Sequence, residues 1–322
     1  MPHTAHNIEV SLGGKWVSVP ALEVQGKKII TSGTIVRIAA VHDEEWLETD
    51  LSEPEVCVRE LKRQNAGMPS ADIFTFAQKP PAAFPRYDYP MELESIAAAE
   101  TTSFAKWWES LPQETRKNVR RSRKRGVVVD VRPFDDELIA GIAAVNNESP
   151  VRQGKANKHY GKSPDLVRKD HESFVERSEF VCAFVDRELV GYLKIVYRGD
   201  VASILNIVSK TCHQDKRPSN ALLAKAIELC EGKGISLLIY GRYYYGNKRH
   251  SPLLDFKIRH GFREIQIPRY YVPLTGWGAL SLRLKLHRDL LGVLPPSIIE
   301  MCARARARWH AARNRWAGVA QW

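Results

Sequence analysis

The spacing of apolar residues changes repeatedly along residues 126–275, and each change predicts a switch between strand and helix. Short runs rich in β-branched and aromatic residues predict strands; these are GVVVDVRPF, EFVCAFV, LVGYLKIVY, VASILNIVS, ISLLIY and FREIQIPRYYVPL. Apolar residues at helical spacing predict helices in DDELIAGIAAVNN, in PDLVRKDHESFVER, after Ser219 and after Ser251. The predicted order is β-α-α-β-β-β-α-β-α-β. Tight polar turns at 186–188 and 198–200 predict that three consecutive strands form an antiparallel meander.

Residues that favour helix ends bound several of these helices. Ser163 and Ser251 are each followed by proline, which suits the N-cap and the first helical position. Ser219 is predicted to cap the helix that follows it. Gly126 is well placed just beyond the end of an earlier helix.

The first hundred residues predict a strand-rich region. IEVSL, KWVSVPALEV, GTIVRIAAV and DIFTF are predicted strands, and residues 54–64 are a predicted helix. Four prolines between residues 79 and 90 predict a stiff connector. We therefore divide the chain into a strand-rich region at 1–95, a principal domain at 96–275 and basic amphipathic helices at 276–322.

The helix predicted from Pro112 to Gly126 is unusually basic. PQETRKNVRRSRKRG contains seven Lys and Arg residues and almost no apolar face, so the helix is not expected to be fully buried. A short helix before it, capped by Ser103, carries Trp107 and Trp108. The charges either face solvent or contact tRNA phosphates, and the absence of aromatic residues between them favours the solvated interpretation.

Composition narrows the class of partner. The 322 residues include 48 Lys and Arg against 37 Asp and Glu, a formal net charge of +11, which favours phosphate-bearing cofactors, nucleic acid or an acidic membrane surface. The five cysteines are scattered, which is typical of reduced thiols in a cytoplasmic protein. No apolar run has the length of a signal peptide or a transmembrane helix.

The C-terminal segment combines apolar and basic residues at helical spacing. One stripe contains Ile298, Cys302, Ala305, Trp309, Ala312 and Trp316, and several arginines lie off it. Such a helix can lie in an anionic membrane interface, which predicts peripheral membrane contact through residues 297–316 at the inner face. Docking of this helix on the rest of the chain is equally consistent with the pattern.

The predicted order of elements, together with particular segments, resembles the GNAT acyltransferase fold. The residues that carry the likeness are SLPQETRKNVRRSRKRGVVV, DRELVGYLKI, DKRPSNALLAKAIELC and LLDFKIRHGFREIQIPRYYVPL. More narrowly, residues ~95–275 resemble the FemAB-like branch, which transfers aminoacyl or acyl groups to cell-envelope precursors. The resemblance implies an α/β fold with a mixed, largely antiparallel central sheet flanked by helices. It also implies an acyl-CoA such as acetyl-CoA, or aminoacyl-tRNA, as donor. Cys212 and His213 have no partner pair at metal-ligand spacing, so no metal is expected.

At the loop-to-helix junction that holds the pyrophosphate of coenzyme A in GNAT enzymes, this chain departs from the family pattern. The family sequence (Gln/Arg)-x-x-Gly-x-(Gly/Ala) aligns with residues 216–221, where Ser219 replaces glycine and Pro218 lacks an N–H. Lys216, Arg217, Ser219 and Asn220 are the predicted cofactor-binding residues. A phosphate can still be held at this helix start by the two cations.

The polar loop after residue 145 resembles the acceptor-facing loop of the fold and supplies candidate catalytic groups. Glu148 is the predicted general base, and His159 or Tyr160 the proton shuttle. Tyr244, in a tyrosine-rich segment after a predicted strand, is the predicted acid for the leaving group. A solvated loop and a rim of amphipathic tyrosines are the alternative interpretations.

Four further residues are predicted to bind the acceptor. Arg152, Gln153 and Lys155 lie in the same loop and suit a carboxylate or phosphate group. Asn206 is polar within an apolar strand, which indicates either an active-site group or a buried hydrogen-bonded core residue.

Two functions are compatible with these patterns. The first is an acyl- or aminoacyltransferase that acts on an amine of a small or lipid-linked envelope or surface-polymer precursor. The second is a non-catalytic GNAT-like module that binds nucleic acid or an anionic membrane through its basic surface. Walker, GxGxxG, HExxH and GxSxG sequences are absent, which argues against nucleotide hydrolysis, Rossmann redox chemistry, zinc proteolysis and serine hydrolysis.

Overall fold

A computed structural model describes residues 6–12, 15–42, 47, 49–65, 71–81, 84–152, 155–245 and 251–288. The strands of the first part of the chain are β1 (His6–Leu12), β2 (Lys15–Val24), β3 (Lys27–Ser32), β4 (Ile38–Val41), β5 (Ile73–Ala77) and β6 (Met91–Glu100). Those of the second part are β7 (Val128–Arg132), β8 (Val151–Arg152), β9 (Lys155–Ala156), β10 (Ser178–Val185), β11 (Glu188–Arg198), β12 (Val201–Ser209), β13 (Leu237–Arg242) and β14 (Arg263–Pro273). The helices are α1 (Pro54–Asn65), α2 (Phe104–Ser110), α3 (Gln113–Lys124), α4 (Asp136–Asn146), α5 (Pro164–His171), α6 (Pro218–Gly232), α7 (Pro252–Arg259) and α8 (Gly276–Arg283).

Twelve strands form one sheet whose two halves repeat the same pairing pattern. The order is β1-β2-β3-β4-β5-β14-β6-β13-β12-β11-β10-β7. Each half has an antiparallel series that ends in a parallel pair, β4 with β5 and β12 with β13. Parallel neighbours need a crossover connection, and α1 and α6 occupy the two crossovers. The halves meet where β14 pairs with β6.

The order predicted for residues 126–275 is confirmed, and so is the largely antiparallel sheet. β10, β11 and β12 form the predicted antiparallel meander. The structure adds the short hairpin β8–β9 within the predicted polar loop. Ser163 and Ser251 are N-caps of α5 and α7, as predicted, and each hydroxyl accepts a backbone N–H. Helix α5 ends at His171, earlier than predicted, and a short 3₁₀ turn at Val175–Arg177 follows.

Two strands of the twelve-stranded sheet lie where no element was predicted. β3 is short and polar at both ends, and β6 contains three glutamates and a run of alanines that have low strand propensity. β6 nevertheless lies between β14 and β13 at the centre of the sheet, and its residues 96–99 are buried. The predicted boundary at 95/96 falls inside β6, and the division into domains stays a prediction.

Helix α6 packs along the second half of the sheet and forms its largest core. Leu222, Leu223, Ala226 and Ile227 are fully buried there against β10–β13. Basic helix α3 contacts α6 through a narrow face in which Thr115 and Ser122 are buried, whereas most of its cations are exposed. The prediction that α3 is not fully buried is confirmed. Among the described residues, no helix combines the length and the apolar character needed to cross a bilayer.

Candidate active site

The pairing of β12 with β13 ends early, and we refer to the region between the unpaired parts of the two strands as the cleft. The two strands run parallel and pair only from 201 opposite 237 to 203 opposite 239. On its other edge β13 pairs with β6 from Leu237 opposite Glu100 as far as Arg242 opposite Ile96. The start of α6 lies at the end of β12, because the hydroxyl oxygens of Ser209 and Ser219 are 2.9 Å apart. The cleft is therefore bounded by two strand ends and a helix N-terminus, where a bound group can be reached by main-chain donors.

The first turn of α6 offers few main-chain donors. Pro218 has no N–H, and the amide of Asn220 donates to the carbonyl of Arg217 at 3.1 Å. Arg217, in the left-handed region with φ 59°, is the N-cap residue, so the prediction that Ser219 caps this helix is wrong. Within the described residues, the Ser219 amide alone in this turn remains available to a ligand. This arrangement is a poor match for a pyrophosphate held by consecutive amides.

Cations surround this turn. Arg217 is exposed and has no ion-pair partner among the described residues, and Lys216 contacts the ring of His213 at 3.1 Å. Arg125, at the end of α3, bonds to the backbone and the carboxylate of Asp215 at 2.6 and 3.1 Å. This contact places the basic end of α3 beside the start of α6. The two elements together form one cationic surface.

An aromatic side chain lies within that surface. The guanidinium of Arg120 lies 5.5 Å from the ring centroid of Trp108, which belongs to α2 and is half-buried. Phe104 stacks on the same ring at 5.9 Å. The sequence of α3 contains no aromatic residue among its charges, because Trp108 comes from the preceding helix. A cationic surface that includes a half-buried aromatic ring suits a nucleic-acid ligand better than charges alone.

The contacts of Glu148 differ from those expected of a general base. Its carboxylate accepts backbone N–H groups from Thr211 and Cys212, both at 2.7 Å, at the start of the 3₁₀ turn Thr211–Lys216. Burial raises the pKa of Glu148, but these two hydrogen bonds outweigh it and hold the pKa below its usual value. A carboxylate with a lowered pKa and two committed bonds is a weak proton acceptor. The geometry therefore favours a positioning role for Glu148.

Arg152 contacts Glu148 and links the same two segments of the chain. Its guanidinium donates to the carbonyl oxygens of Val145 and Ser209, the latter at 3.3 Å, and lies 3.7 Å from Glu148. These contacts tie the end of α4 to the end of β12. The guanidinium is committed to the protein itself, so it is less suited to clamp an acceptor than the sequence suggested.

His159 lies in an ordered part of the loop. Its Nδ1 is 4.0 Å from a carboxylate oxygen of Asp170, which also pairs with Lys162 and accepts the indole N–H of Trp16 at 3.2 Å. Burial, together with the nearby lysines, lowers the pKa of His159 to about 4. Tyr160 is half exposed beside it. The histidine is therefore neutral at pH 7 and, with Tyr160, stands at the protein surface near the hairpin formed by β1 and β2.

Lys257 is a functional candidate that sequence analysis missed. It is fully buried on α7, and its ammonium donates to the carbonyl of Arg242 at 2.6 Å. The same nitrogen lies 4.6 and 4.9 Å from the ring centroids of Tyr240 and Tyr245. Burial lowers its pKa to about 8. A buried lysine whose pKa is shifted toward neutrality, at the β13 wall of the cleft, is the kind of group that active sites contain.

The tyrosines around Lys257 depend on a glycine. Gly241 has φ +58°, and a Cβ there would lie 2.6 Å from the hydroxyl of Tyr245. The absence of a side chain lets the Tyr245 ring cover the ammonium. A sequence signal for Lys257 did exist, because it lies three residues after buried Leu254 and so falls on the inward face of α7.

Helix α7 is locked to α6 through His260. The Nδ1 of His260 donates to the carbonyl of Phe256 at 2.7 Å, so its Nε2 accepts the side-chain amide of Asn220 at 2.9 Å. The indole of Trp107 donates to the His260 carbonyl at 3.0 Å. Burial lowers the pKa of His260 to about 4. Asn220, predicted to bind a cofactor, thus fixes Lys257 relative to the α6 start.

We expect His159 and His260 to stay neutral from pH 7 to pH 5, because both pKa values lie near 4 in the folded protein. The unfolded chain has pKa values near 6.5, so it binds more protons between pH 6.5 and 4, and stability should fall as the pH drops through that window. Ring-nitrogen NMR during a pH titration measures this, with His159→Gln and His260→Gln used for assignment. A midpoint near 6.5 for either ring would contradict the buried, neutral state.

Other predicted residues lie around the cleft without converging on one point. Tyr244 is exposed, and its ring meets that of Tyr243 edge-on at 4.9 Å. Asn206 is half-buried on the part of β12 beyond its pairing with β13, opposite Lys194. The active-site roles predicted for Tyr244 and Asn206 stay predictions.

Several predicted features lie outside the described residues. These are Gln153, the side chain of Lys155, residues 246–250 and the amphipathic stripe within 297–316.

Comparison with known proteins shows similarity in structure but not in sequence. No family model matches the chain, and no curated protein matches it. The structure of FemX is similar over 88% of this chain and 90% of that one, with TM-score 0.55 and 10% identity. The C-terminal domain of an Agrobacterium fabrum chain assigned as a lysylphosphatidylglycerol synthetase is similar over 82% and 87%, with TM-score 0.53 and 14% identity.

A third similar structure is that of L-PGS from Bacillus licheniformis, with 81% of this chain and 86% of that one covered, TM-score 0.51 and 14% identity. At these identities the likeness concerns the fold. This chain has a FemAB-like, GNAT-type fold.

Proposed function

We propose that this protein transfers an aminoacyl group from charged tRNA to an amine. The observation that carries the proposal is the cationic surface of α3 and the α6 start, beside a cleft whose first helical turn has few free amides. Side-chain cations suit a ligand with many phosphates spread over a surface. A single pyrophosphate, as in coenzyme A, is bound mainly by consecutive main-chain amides. In this turn Pro218 has no N–H, and the amide of Asn220 is already bonded within the protein.

The proposed reaction is aminolysis of an ester. The acceptor nitrogen attacks the carbonyl carbon, a C–N bond forms, the ester C–O bond breaks, and the ribose oxygen of tRNA leaves with the proton that the amine loses. Lys257, with a pKa of about 8, carries a proton near neutral pH. The Tyr245 ring covers its ammonium, so in this proposal the ring moves aside before Lys257 stabilises the developing oxyanion. Glu148, Arg152, Asn220 and His260 hold the surrounding elements in place.

The acceptor is proposed to be an amine of an envelope or surface-polymer precursor, small or lipid-linked. The loop that carries His159 and Tyr160 is anchored to the end of α4 by Asn157, whose side-chain amide donates to the carbonyls of Asn146 and Ser149 at 2.8 and 3.0 Å. An ordered, polar and exposed loop suits recognition of such an acceptor.

Donor choice is tested by binding at several salt concentrations. We expect aminoacyl-tRNA to bind more tightly than deacylated tRNA. Replacing Arg123 and Lys124 by alanine should reduce the salt slope of log K by about 2. The matched control is the exposed pair Lys62 and Arg63 at the end of α1. An unchanged slope in the α3 variant would contradict the proposed surface.

Calorimetric titration with acetyl-CoA, with Lys216→Ala as the control, tests the other donor. Weak or absent binding is expected. Saturable binding that Lys216→Ala weakens would replace the tRNA donor with an acyl-CoA. If neither donor binds to folded protein, the non-catalytic function gains support.

A further inference from the structure

Helix α8 exposes an apolar stripe. Trp277, Leu280 and Leu284 are 42%, 45% and 55% exposed, and their spacing places them on one face. Ile35, in the turn between β3 and β4, is 76% exposed. The indole N–H of Trp277 donates to the carbonyl of Ile35 at 3.0 Å, so the turn and the helix present their apolar side chains together. Single exposed apolar residues are ordinary, but an adjacent group of this size indicates an interaction surface.

The opposite face of α8 is fixed to the sheet. Gly278 is buried, and a Cβ there would lie 1.9 Å from the carbonyl oxygen of Asp72, so the helix backbone and the start of β5 are in close contact. Thr275 caps the helix and donates to the Asp72 carboxylate at 3.1 Å. These contacts hold the helix that carries the exposed stripe against the start of β5.

The charged side chains within the two described segments that carry the stripe are of one sign. Residues 31–42 and 275–288 contain no Asp or Glu. Arg283 and Lys285 are exposed and have no acidic partner among the described residues. Two acidic groups among the described residues contact these segments and are already paired, Asp72 with Arg37 and Glu92 with Arg288. The described part of the surface thus combines tryptophan, aliphatic side chains and positive charge.

We propose that α8 and the β3–β4 turn form a membrane-docking surface for anionic phospholipid bilayers. Aliphatic side chains and the indole enter the interfacial region, while Arg283 and Lys285 meet anionic headgroups. The surface would hold the enzyme where a lipid-linked acceptor lies, yet its binding requires no catalysis.

Charge favours a bilayer over two other occupants. In a two-fold dimer through this surface, Arg283 and Lys285 would approach the same residues of the second copy, which like-charge repulsion opposes. Residues 297–316 contain five arginines and one acidic residue, Glu300, so they are also cationic and are repelled by the same side chains. An anionic bilayer attracts both segments.

The test measures sedimentation of the full-length protein with phosphatidylcholine vesicles, with and without phosphatidylglycerol. We expect binding only to the anionic vesicles. Trp277→Ser/Leu280→Ser/Leu284→Ser should weaken binding by about 10-fold or more, because each side chain removes buried apolar area. Arg283→Glu/Lys285→Glu should weaken it by a similar factor at low salt. Ile258→Ser, 50% exposed on α7, is the matched control and should bind as wild type.

Several outcomes would overturn the proposal. The first is wild-type binding by both α8 variants, with folding checked by thermal unfolding. The second is an equal loss in Ile258→Ser. The third is loss of binding in Trp309→Ser/Trp316→Ser alone, which would assign the membrane contact to the tail. The fourth is a change of oligomeric state in the triple variant without a change in vesicle binding, which would assign the stripe to a second copy. Because vesicle binding is read without a transfer assay, its failure is distinct from failure of the proposed function.

Discussion

Replacing Lys257 by methionine should reduce aminoacyl transfer by about 100-fold or more, the effect of removing one preorganised charge stabiliser. The variant should nevertheless be at least as stable as the wild type at pH 7. Methionine has similar length and fits between the rings of Tyr240 and Tyr245, and it removes the unfavourable burial of an ammonium group. The transfer rate would therefore fall while stability stayed equal or rose. This is expected when an active-site residue lowers the stability of the folded protein by its burial.

The pH dependence of stability gives a second measure of the same lysine. The pKa of Lys257 is about 8 in the folded protein and 10.5 in the reference state. Between these values the unfolded chain binds more protons, so the wild type should gain stability relative to Lys257→Met as the pH rises from 8 to 10.5. The gain should be at most about 3 kcal/mol. Denaturant unfolding at several pH values measures it.

Controls separate the role of Lys257 from general effects of charge. Lys62→Met removes an exposed lysine on α1 and should change neither transfer nor the pH profile. Single-turnover transfer from charged tRNA gives the rate. Unaltered transfer in folded Lys257→Met would remove this lysine from the proposed mechanism.

Replacing Glu148 by alanine should lower the free energy of unfolding by about 1–2 kcal/mol, because two backbone donors lose a charged acceptor and must turn to water instead. The affected groups are the amides of Thr211 and Cys212, and the pairing with Arg152 is lost as well. Glu148→Gln should lie between the wild type and the alanine variant, since its amide oxygen can still accept a bond. Chemical denaturation measures both.

Low pH should weaken the same contact between the Glu148 carboxylate and the two backbone amides. The pKa of Glu148 is lowered from 4.5 in the folded protein, so its contribution is complete above pH 4.5 and is lost as the pH falls through the lower, folded value. The wild type and Glu148→Ala should therefore converge in stability at low pH. Glu109→Ala, an exposed glutamate on α2, serves as the control. Complete loss of transfer in Glu148→Gln with unchanged stability would support the general-base role predicted from the sequence and contradict the positioning role.

Some parts of the site were predictable because they depend on local chemistry. The meander, the helix starts at Ser163 and Ser251 and the basic helix α3 follow from periodicity, capping residues and charge. The weak phosphate turn was also visible, since Pro218 lacks an N–H in any conformation. Burial of Lys257 was less evident, because a lysine is normally placed at the surface by its charge.

The sequence by itself determined the order of elements in residues 126–275, the net positive charge and the loss of an amide at the α6 start. Tertiary structure decided the rest. It placed alanine- and glutamate-rich β6 at the sheet centre, since neighbouring strands can override weak propensity. It also gave Glu148 two backbone donors 63 and 64 residues away and covered Lys257 with tyrosines. Contacts between distant segments fix such partners, and no local pattern encodes them.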